Sequence, residues 1–320
     1  MANNRVLRSS WNVHGTETGR WSSGKNRSGG GLNAQTVPKV VRWAFVPPEG
    51  HVFIQPDLSQ AEARVVAYLA GSQKLIELFN DSTKSIHMEN AMAILGYYPK
   101  KDSNDYVLAK KCVHAANYKI SERFLSTIAS IPVSKAGALL KAYFLQYPEI
   151  PAWHDWTLKQ IGEVGELKTP FGRKRLFAKA RAELLILSKV SPNSWKDAIA
   201  YVPQATVPDV TNHGMVNLWK SPVGTSIRFH QQGHDSFLCS APSEELGEVA
   251  RTLKECLTVP FEITDITGYT RTLTIPVDLA FGFSWGATKG WKGEERADRA
   301  EWEAWLAEKK VIEDLKGNLL

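Results

Sequence analysis

Two acids stand close together in HVFIQPDLSQAEARVVAYLAGS, Asp57 and Glu62, directly after an apolar run, and a third, Asp235, occupies the turn of QQGHDSF. Two carboxylates at the ends of adjacent strands can hold a pair of divalent cations. Such a pair, about 4 Å apart, clamps the attacking and leaving oxygens of a phosphoryl displacement. Between these acids, in DYVLAKKCVHAANYKIS, Tyr106, Lys110, His114 and Tyr118 recur every four residues and share one slowly drifting helix face. Lys and His suit triphosphate oxygens, and an aromatic ring suits a base or sugar. Each feature also has a plainer meaning. Asp57 or Ser59 can cap a helix, Asp235 can form a turn, and the stripe can be a solvated helix face.

The elements that must position these residues follow from periodicity. WAFVPPEGHVFI, within Val40 to Ile54, reads as two short strands around a Pro-Pro-Glu-Gly turn, and Val65, Val66 and Leu69 then recur at helical spacing. From residue 73 to about 165 the chain reads as successive amphipathic helices: QKLIELF, IHMENAMAILG, DYVLAKKCVHAANY, SERFLSTIASI, SKAGALLKAYFLQYP and IPAWHDWTLKQIG. GELKTPFGRKRLF reads as a hairpin, DVTNHGMVNLW as a helix, SIRFHQQGHDSFLCS as strand, turn and strand, SEELGEVARTLKECL as a helix and LTIPVDLAFGFSW as a closing strand. The stretch EERADRAEWEAWLAEKK reads as a charged amphipathic helix. Strands, then helices, then strands again predict an α+β fold with a helical subdomain inserted into an antiparallel sheet domain.

Composition sets the outer limits. With 320 residues, 43% hydrophobic and 22% charged, the chain is long enough for about two domains and a sizeable core. No apolar run approaches the roughly 20 residues of a membrane span, so no membrane partner is expected and the cytoplasm is the default compartment. Cys112, Cys239 and Cys256 are widely spaced, which argues against a zinc site or a disulfide framework. Lys and Arg number 39 against 33 Asp and Glu, and the net charge of +6 fits a polyanionic partner. Up to Arg42 the chain carries Arg5, Arg8, Arg20, Lys25, Arg27, Lys39 and Arg42 against the single acid Glu17, a composition that suits either an arm lying on phosphates or a flexible terminus.

In this order, DLSQAEARVVAYLAG, KKCVHAANY and GHDSF resemble the three polymerase motifs of family A DNA polymerases, the group of bacterial DNA polymerase I and many phage replicases. HGTETGRWSS, LNAQTVPKVVRWAF, SIHMENAMAILG, YFLQYPEI, TPFGRKR, PQATVPDV and VDLAFGFSWG are similar to further family stretches, so the resemblance runs from about residue 11 to 290. It implies a right-hand fold: 1–72 as the N-terminal part of the palm with a basic arm, 73–165 as helical fingers, 166–290 as the C-terminal part of the palm, and 291–320 as a charged tail. It also implies DNA-directed DNA synthesis with two Mg2+ ions, for which Mn2+ can substitute, on primer-template DNA and dNTPs.

Residue by residue, the resemblance makes Asp57 and Asp235 the metal ligands, with the Leu58 carbonyl assisting. Glu62 matches the gate that crowds the sugar 2′ position and rejects ribonucleotides. His87 and Lys110 match phosphate-binding positions, with Lys110 also in a catalytic role, and Ser59, Gln60, His114 and Tyr118 complete the nucleotide site, Tyr118 beside the templating base. Arg20, Arg64, Lys196, Gln204, Gln232 and His234 fall to the DNA, with Arg20, Gln204 and His234 near the primer terminus, where minor-groove acceptors are common to all base pairs.

Several positions depart from the family pattern. Its arginine before the motif lysine falls on Tyr106, so that phosphate contact is absent or supplied by Lys111; its sugar-packing aromatic falls on His114; Lys119 replaces a common Gly; and Ser236 replaces a common acid. A register shifted by four residues would put His114 on the lysine, but KISERFLS follows Tyr118 as the family's next turn does. No thumb or exonuclease is recognisable, so the expected architectures are a second chain bearing one or both, a fragment, or a reduced polymerase. The alternatives are a catalytically weak DNA-binding subunit of a split polymerase and a single-subunit RNA polymerase or primase-like enzyme, against which Glu62 speaks. A phage gene would place the protein in the bacterial host cytoplasm.

Overall fold

The computed structural model describes residues 6–27, 29–187 and 191–291. The chain opens with a small hairpin, β1 (Ser10–Asn12) and β2 (Ser22–Gly24), in the basic arm. Strand β3 (His51–Leu58) feeds α1 (Ala61–Ala70), and a helical run follows: α2 (Gln73–Asn80), α3 (Ile86–Leu95), α4 (Asn104–Asn117), α5 (Glu122–Ala129), α6 (Val133–Gln146) and α7 (Glu149–Glu163). The hairpin β4 (Glu166–Lys168) and β5 (Lys174–Leu176) leads to α8 (Ala178–Leu187) and α9 (Pro192–Lys220). After them come β6 (Arg228–Gln232), β7 (Phe237–Pro242), α10 (Leu246–Leu257), β8 (Phe261–Thr264), β9 (Thr270–Leu273), β10 (Val277–Gly282) and β11 (Lys289–Trp291). The six helices expected between 73 and 165 are all present. Ser103 and Ser121 accept from the Tyr106 and Phe124 amides to start α4 and α5, and Gly71 and Gly96 close α1 and α3 in left-handed conformation.

The central sheet has the order β11-β10-β3-β7-β6, with every neighbouring pair antiparallel. Strand alternation gives it two unlike faces. Val52, Ile54, Cys239, Leu279 and Phe281 point to one side and pack with Leu218 of α9 and Val249 and Leu253 of α10. Each such fully buried aliphatic side chain contributes roughly 1.5–3 kcal/mol. Asp57 and its cross-strand neighbour Asp278 lie on the other face. A second core fills the helical layer, where Val65, Leu125, Tyr143, Tyr147 and Ile150 meet Phe261 and Ile263 of β8. The fold is therefore α+β, with helices inserted between strands of an antiparallel sheet.

Three local expectations change. The first strand expected in WAFV is instead a 3-10 helix, Lys39–Ala44, started by Pro38. Pro47 and Pro48 lack donors just beyond it, Val40 is 77% and Trp43 69% exposed, and the Trp285 amide on the Phe45 carbonyl at 3.0 Å is a single contact rather than a ladder. The helix expected to begin at Asp209 begins instead at Pro192 and runs through Pro203 and Pro208, because the core packing on α9 outweighs two lost backbone bonds. The closing strand begins only at Val277: Pro276 interrupts it, and Thr270–Leu273 pairs with β8. The charged helix expected in the 291–320 tail lies outside the described residues, apart from Trp291, which ends β11. Among the described residues no single helix is long and apolar enough to cross a membrane.

Candidate active site

Asp57 is the penultimate residue of β3, exposed at the end of the strand where the sheet opens. Hydrogen bonds fix that end on both sides: the Leu58 amide donates to the Asp235 carbonyl at 2.9 Å, and the Ser59 amide to the Pro276 carbonyl at 2.9 Å. Asp57 faces Asp278 across the β3–β10 ladder and Ser236 across an isolated bridge on its other side. Asp235 itself sits in the tight turn closed by the Gly233 amide on the Ser236 carbonyl. Desolvation, and then the charges of Asp235 and Asp278, push the Asp57 carboxyl up to about 7.

Glu62, in the first turn of α1, ties three elements together. The Arg20 guanidinium donates to one oxygen at 2.6 Å, and the buried Tyr118 hydroxyl donates to the other. Gln204 of α9 hydrogen-bonds Tyr118 as well, and burial in that environment holds the phenol well above its ordinary value. His234 lies within the fields of Arg20, Asp235 and Glu62, and burial and Arg20 lower its imidazole. Arg20, Glu62, Tyr118, Gln204, His234 and Asp235 are thus one cluster beside Asp57. The Gly-Arg dipeptide of the arm has a packing reason: Gly19 has φ +74°, and a Cβ there would come within 2.4 Å of Arg173, whose guanidinium is held at 2.6 Å by Asp209.

On α4 the four-residue stripe divides. Tyr106 and Tyr118 are buried, whereas Lys110 and His114 are exposed. The His114 and Tyr118 rings meet edge to face at 5.0 Å. His87, near the start of α3, meets the Tyr106 ring at 6.1 Å, so His87 and Lys110 come together from two helices. Lys111 does not replace the missing arginine, because it is turned to the Ile128 carbonyl at 2.8 Å. Lys119 has φ +50° where a glycine is usual, and its ammonium pairs with Asp155 at 3.0 Å and lies over Trp195. Gln60 is also left-handed, at φ 53°, and Ser59 and Gln60 form the connection from β3 to α1.

Two of the residues that the resemblance assigns to the DNA are buried. Arg64 is 7% exposed, donates to the Ser59 carbonyl at 3.1 Å and lies over the Phe79 ring, so it braces the β3–α1 connection. Gln232 is 2% exposed, and its backbone carbonyl receives the Gln35 side chain. Lys196 lies over Phe124 of α5 rather than in the Glu62 cluster. Arg64→Ala is expected to lower stability by about 1.5–3 kcal/mol through the lost charged hydrogen bond while leaving the salt dependence of DNA binding unchanged. Denaturant melts and fluorescence anisotropy at several salt concentrations check both halves.

Asp278 is a residue that motif reading missed. Its acidic character interrupts an apolar strand in VDLAFG, but only the ladder shows that it faces Asp57. The donor set at this end of the sheet is hard oxygen: carboxylates and the Leu58 carbonyl. Among the described residues no three His, Cys, Asp or Glu side chains close into a metal cage. Magnesium does not need one, since it commonly takes one or two carboxylates and fills its shell with water and substrate phosphates. Besides desolvation, the charges of Asp235 and Asp278 raise Asp57, and a cation would offset that repulsion, so the residues fit the ion.

The family model for DNA polymerase family A matches residues 1–287. The chain belongs to DNA polymerase family A. This family A chain is 29% identical over 291 residues to the thermostable DNA polymerase I of Thermus thermophilus, covering 89% of the chain and 33% of that protein. It is 30% identical over 290 residues to DNA polymerase I of Chloroflexus aurantiacus, covering 87% of the chain and 29% of that protein. It therefore spans about a third of the length of these curated relatives. The fold matches the POL domain of Pol1 from M. smegmatis, solved with DNA primer-template and dNTP, at a TM-score of 0.74 and 22% identity, over 89% of this chain and 49% of that one.

Proposed function

We propose that the chain is the palm and fingers of a DNA-directed DNA polymerase that adds dNTPs to a primer 3′ end. The observation that carries this reading is the convergence of Arg20, Glu62, Tyr118, His234 and Asp235 beside Asp57, from the arm, α1, the end of α4 and the β6–β7 turn. Glu62, held by two donors, is fixed where it can exclude a ribose 2′-hydroxyl. Tyr118 supplies a buried surface beside that gate, and His114 stacks edge-on against it. His87 and Lys110 donate to triphosphate oxygens. Arg20, Gln204 and His234 line the primer side, and the basic arm and Lys196 add phosphate attraction.

Asp57 and Asp235, with the Leu58 carbonyl, hold the divalent ions. When bound, a metal pair supplies charge stabilisation for the attacking and leaving oxygens. The carboxylates' own part is to present fixed negative charge at the sheet edge, locked there by the Leu58 and Ser59 backbone bonds. In this reading the β3–β10 and β6–β7 sheet is the palm, the 73–165 helices are the fingers, and a thumb-bearing segment or partner chain grips the duplex behind the primer end.

Primer extension by the purified chain, alone and with a thumb-bearing polymerase chain, with deoxy- and ribonucleotides offered in parallel, tests the reading. Extension with deoxynucleotides supports it; preference for ribonucleotides, or DNA binding without addition under every condition, overturns it. Asp278→Asn is expected to weaken Mn2+ binding about tenfold, as for other groups supporting a metal site. Electron paramagnetic resonance titration measures the change directly.

A further inference from the structure

We propose that Tyr106 is the positioning residue for the triphosphate-binding pair, its ring setting His87 and Lys110 side by side in place of a third cation. The inference rests on the nucleotide-binding reading above and assigns the task to a residue that reading leaves without one. Tyr106 is 7% exposed in the first turn of α4, and the Ser103 hydroxyl that caps this helix receives its amide. The ring is thus fixed before anything binds.

Two polar side chains from different helices converge on that ring. The His87 imidazole meets it edge to face at 6.1 Å and 82°, and the Lys110 ammonium lies 5.5 Å from its centroid. His87 and Lys110 also sense each other's charge: burial, and then Lys110, lower the imidazole. An exposed lysine on a four-carbon stem samples many rotamers, and an electron-rich ring face restricts it to one region. Edge contact with an aromatic ring likewise orients the imidazole.

The surroundings favour this assignment over a simple loss of a contact. Lys111 is committed to the Ile128 carbonyl, and Lys84 pairs with Asp81 at 3.6 Å. Ser85 starts α3 without a side-chain cap bond, and its carbonyl takes the Met88 amide at 2.9 Å, which leaves the first two amides of that helix, Ile86 and His87, to face an anion. An imidazole, an ammonium and uncapped amides held around one fixed ring make a receptor for a polyphosphate, and the ring contributes order rather than charge.

The test compares wild type, Tyr106→Phe, Tyr106→Leu and Tyr106→Arg. Equilibrium dATP binding is followed by calorimetry, and single-nucleotide primer extension gives KM and kcat. Tyr106→Leu is expected to weaken dATP binding and raise KM about three- to tenfold, with kcat within about twofold, because only the weak ring contacts are removed. Tyr106→Phe keeps the ring and should match wild type, and Tyr106→Arg should restore binding lost in the leucine variant by adding charge. Wild-type binding by Tyr106→Leu, or a fall in kcat with KM unchanged, overturns the proposal. So does weakened binding by Tyr106→Phe, a variant whose folding is not in doubt, since the hydroxyl rather than the ring would then be acting. Failure of wild type to bind dATP or extend a primer removes the polymerase reading and this inference with it, whereas an active wild type with an indifferent Tyr106 removes the inference alone.

Discussion

Asp57→Asn is expected to extend a primer about a thousandfold more slowly than wild type, the several kcal/mol of charge stabilisation that a bound metal pair supplies. The same variant should melt at a higher temperature than wild type at neutral pH without metal. The sign follows from the carboxyl's position: folded, it holds a proton up to about pH 7, whereas in the unfolded chain it releases it near 3.8. The folded state thus binds the extra proton between those values, and metal-free stability falls as pH rises through the window. Asparagine has no charge to lose, so its stability stays flat there. Binding of a divalent ion must displace that proton, so Mn2+ affinity of the wild type should fall about tenfold for each pH unit below 7. Thermal melts across pH 4–8 and Mn2+ titrations check the pair of effects, and equal extension by the variant would take Asp57 out of the site.

Glu62→Ala should reduce discrimination against ribonucleotides by about a hundredfold, the order expected when an excluding contact of about one side-chain group is removed from a snug pocket. Its cost in stability should be about 1–3 kcal/mol, because the buried Tyr118 hydroxyl loses its carboxylate acceptor and the Arg20 guanidinium loses its counter-ion. Glu62→Gln separates the two consequences: the bulk stays and the gate should hold, while the pairing with Arg20 weakens. Competition assays with matched ribo- and deoxynucleotides read the first effect and denaturant melts the second. Unchanged discrimination in the alanine variant would show that the carboxylate orders Arg20 and Tyr118 without touching the sugar.

Much of the fold is legible in the sequence, and for physical reasons. The six helices between residues 73 and 165 carry apolar spacing and end signals that survive in the folded state. Asp57, Glu62 and Asp235 each sit where an acid is ordinary, at a helix start or in a turn, and only their order along the chain with the α4 stripe singles them out. What stayed hidden depends on contacts between distant segments. Asp278 acquires meaning only through the register of β10 on β3. Arg64 looks like a surface cation on a helix, but the Ser59 carbonyl and the Phe79 ring take it inside. Pro203 and Pro208 read as breakers, yet buried Val207, Val210 and Leu218 hold α9 continuous through them.

The two unlike faces of the central sheet also bear on how the chain folds. A strand paired one residue out of step exchanges its faces entirely. For β3, such a slip would push Asp57 towards the layer of Leu279, Phe281 and Leu253 and take Val52 and Ile54 out of it, onto the face where Phe53 packs with Val37, Leu238 and Trp285. An unpaired carboxylate in that apolar layer is heavily penalised. The acid proposed for chemistry therefore also guards assembly: its presence makes the misaligned sheet untenable, and only the alignment that buries the apolar face leaves the carboxylate at the open edge.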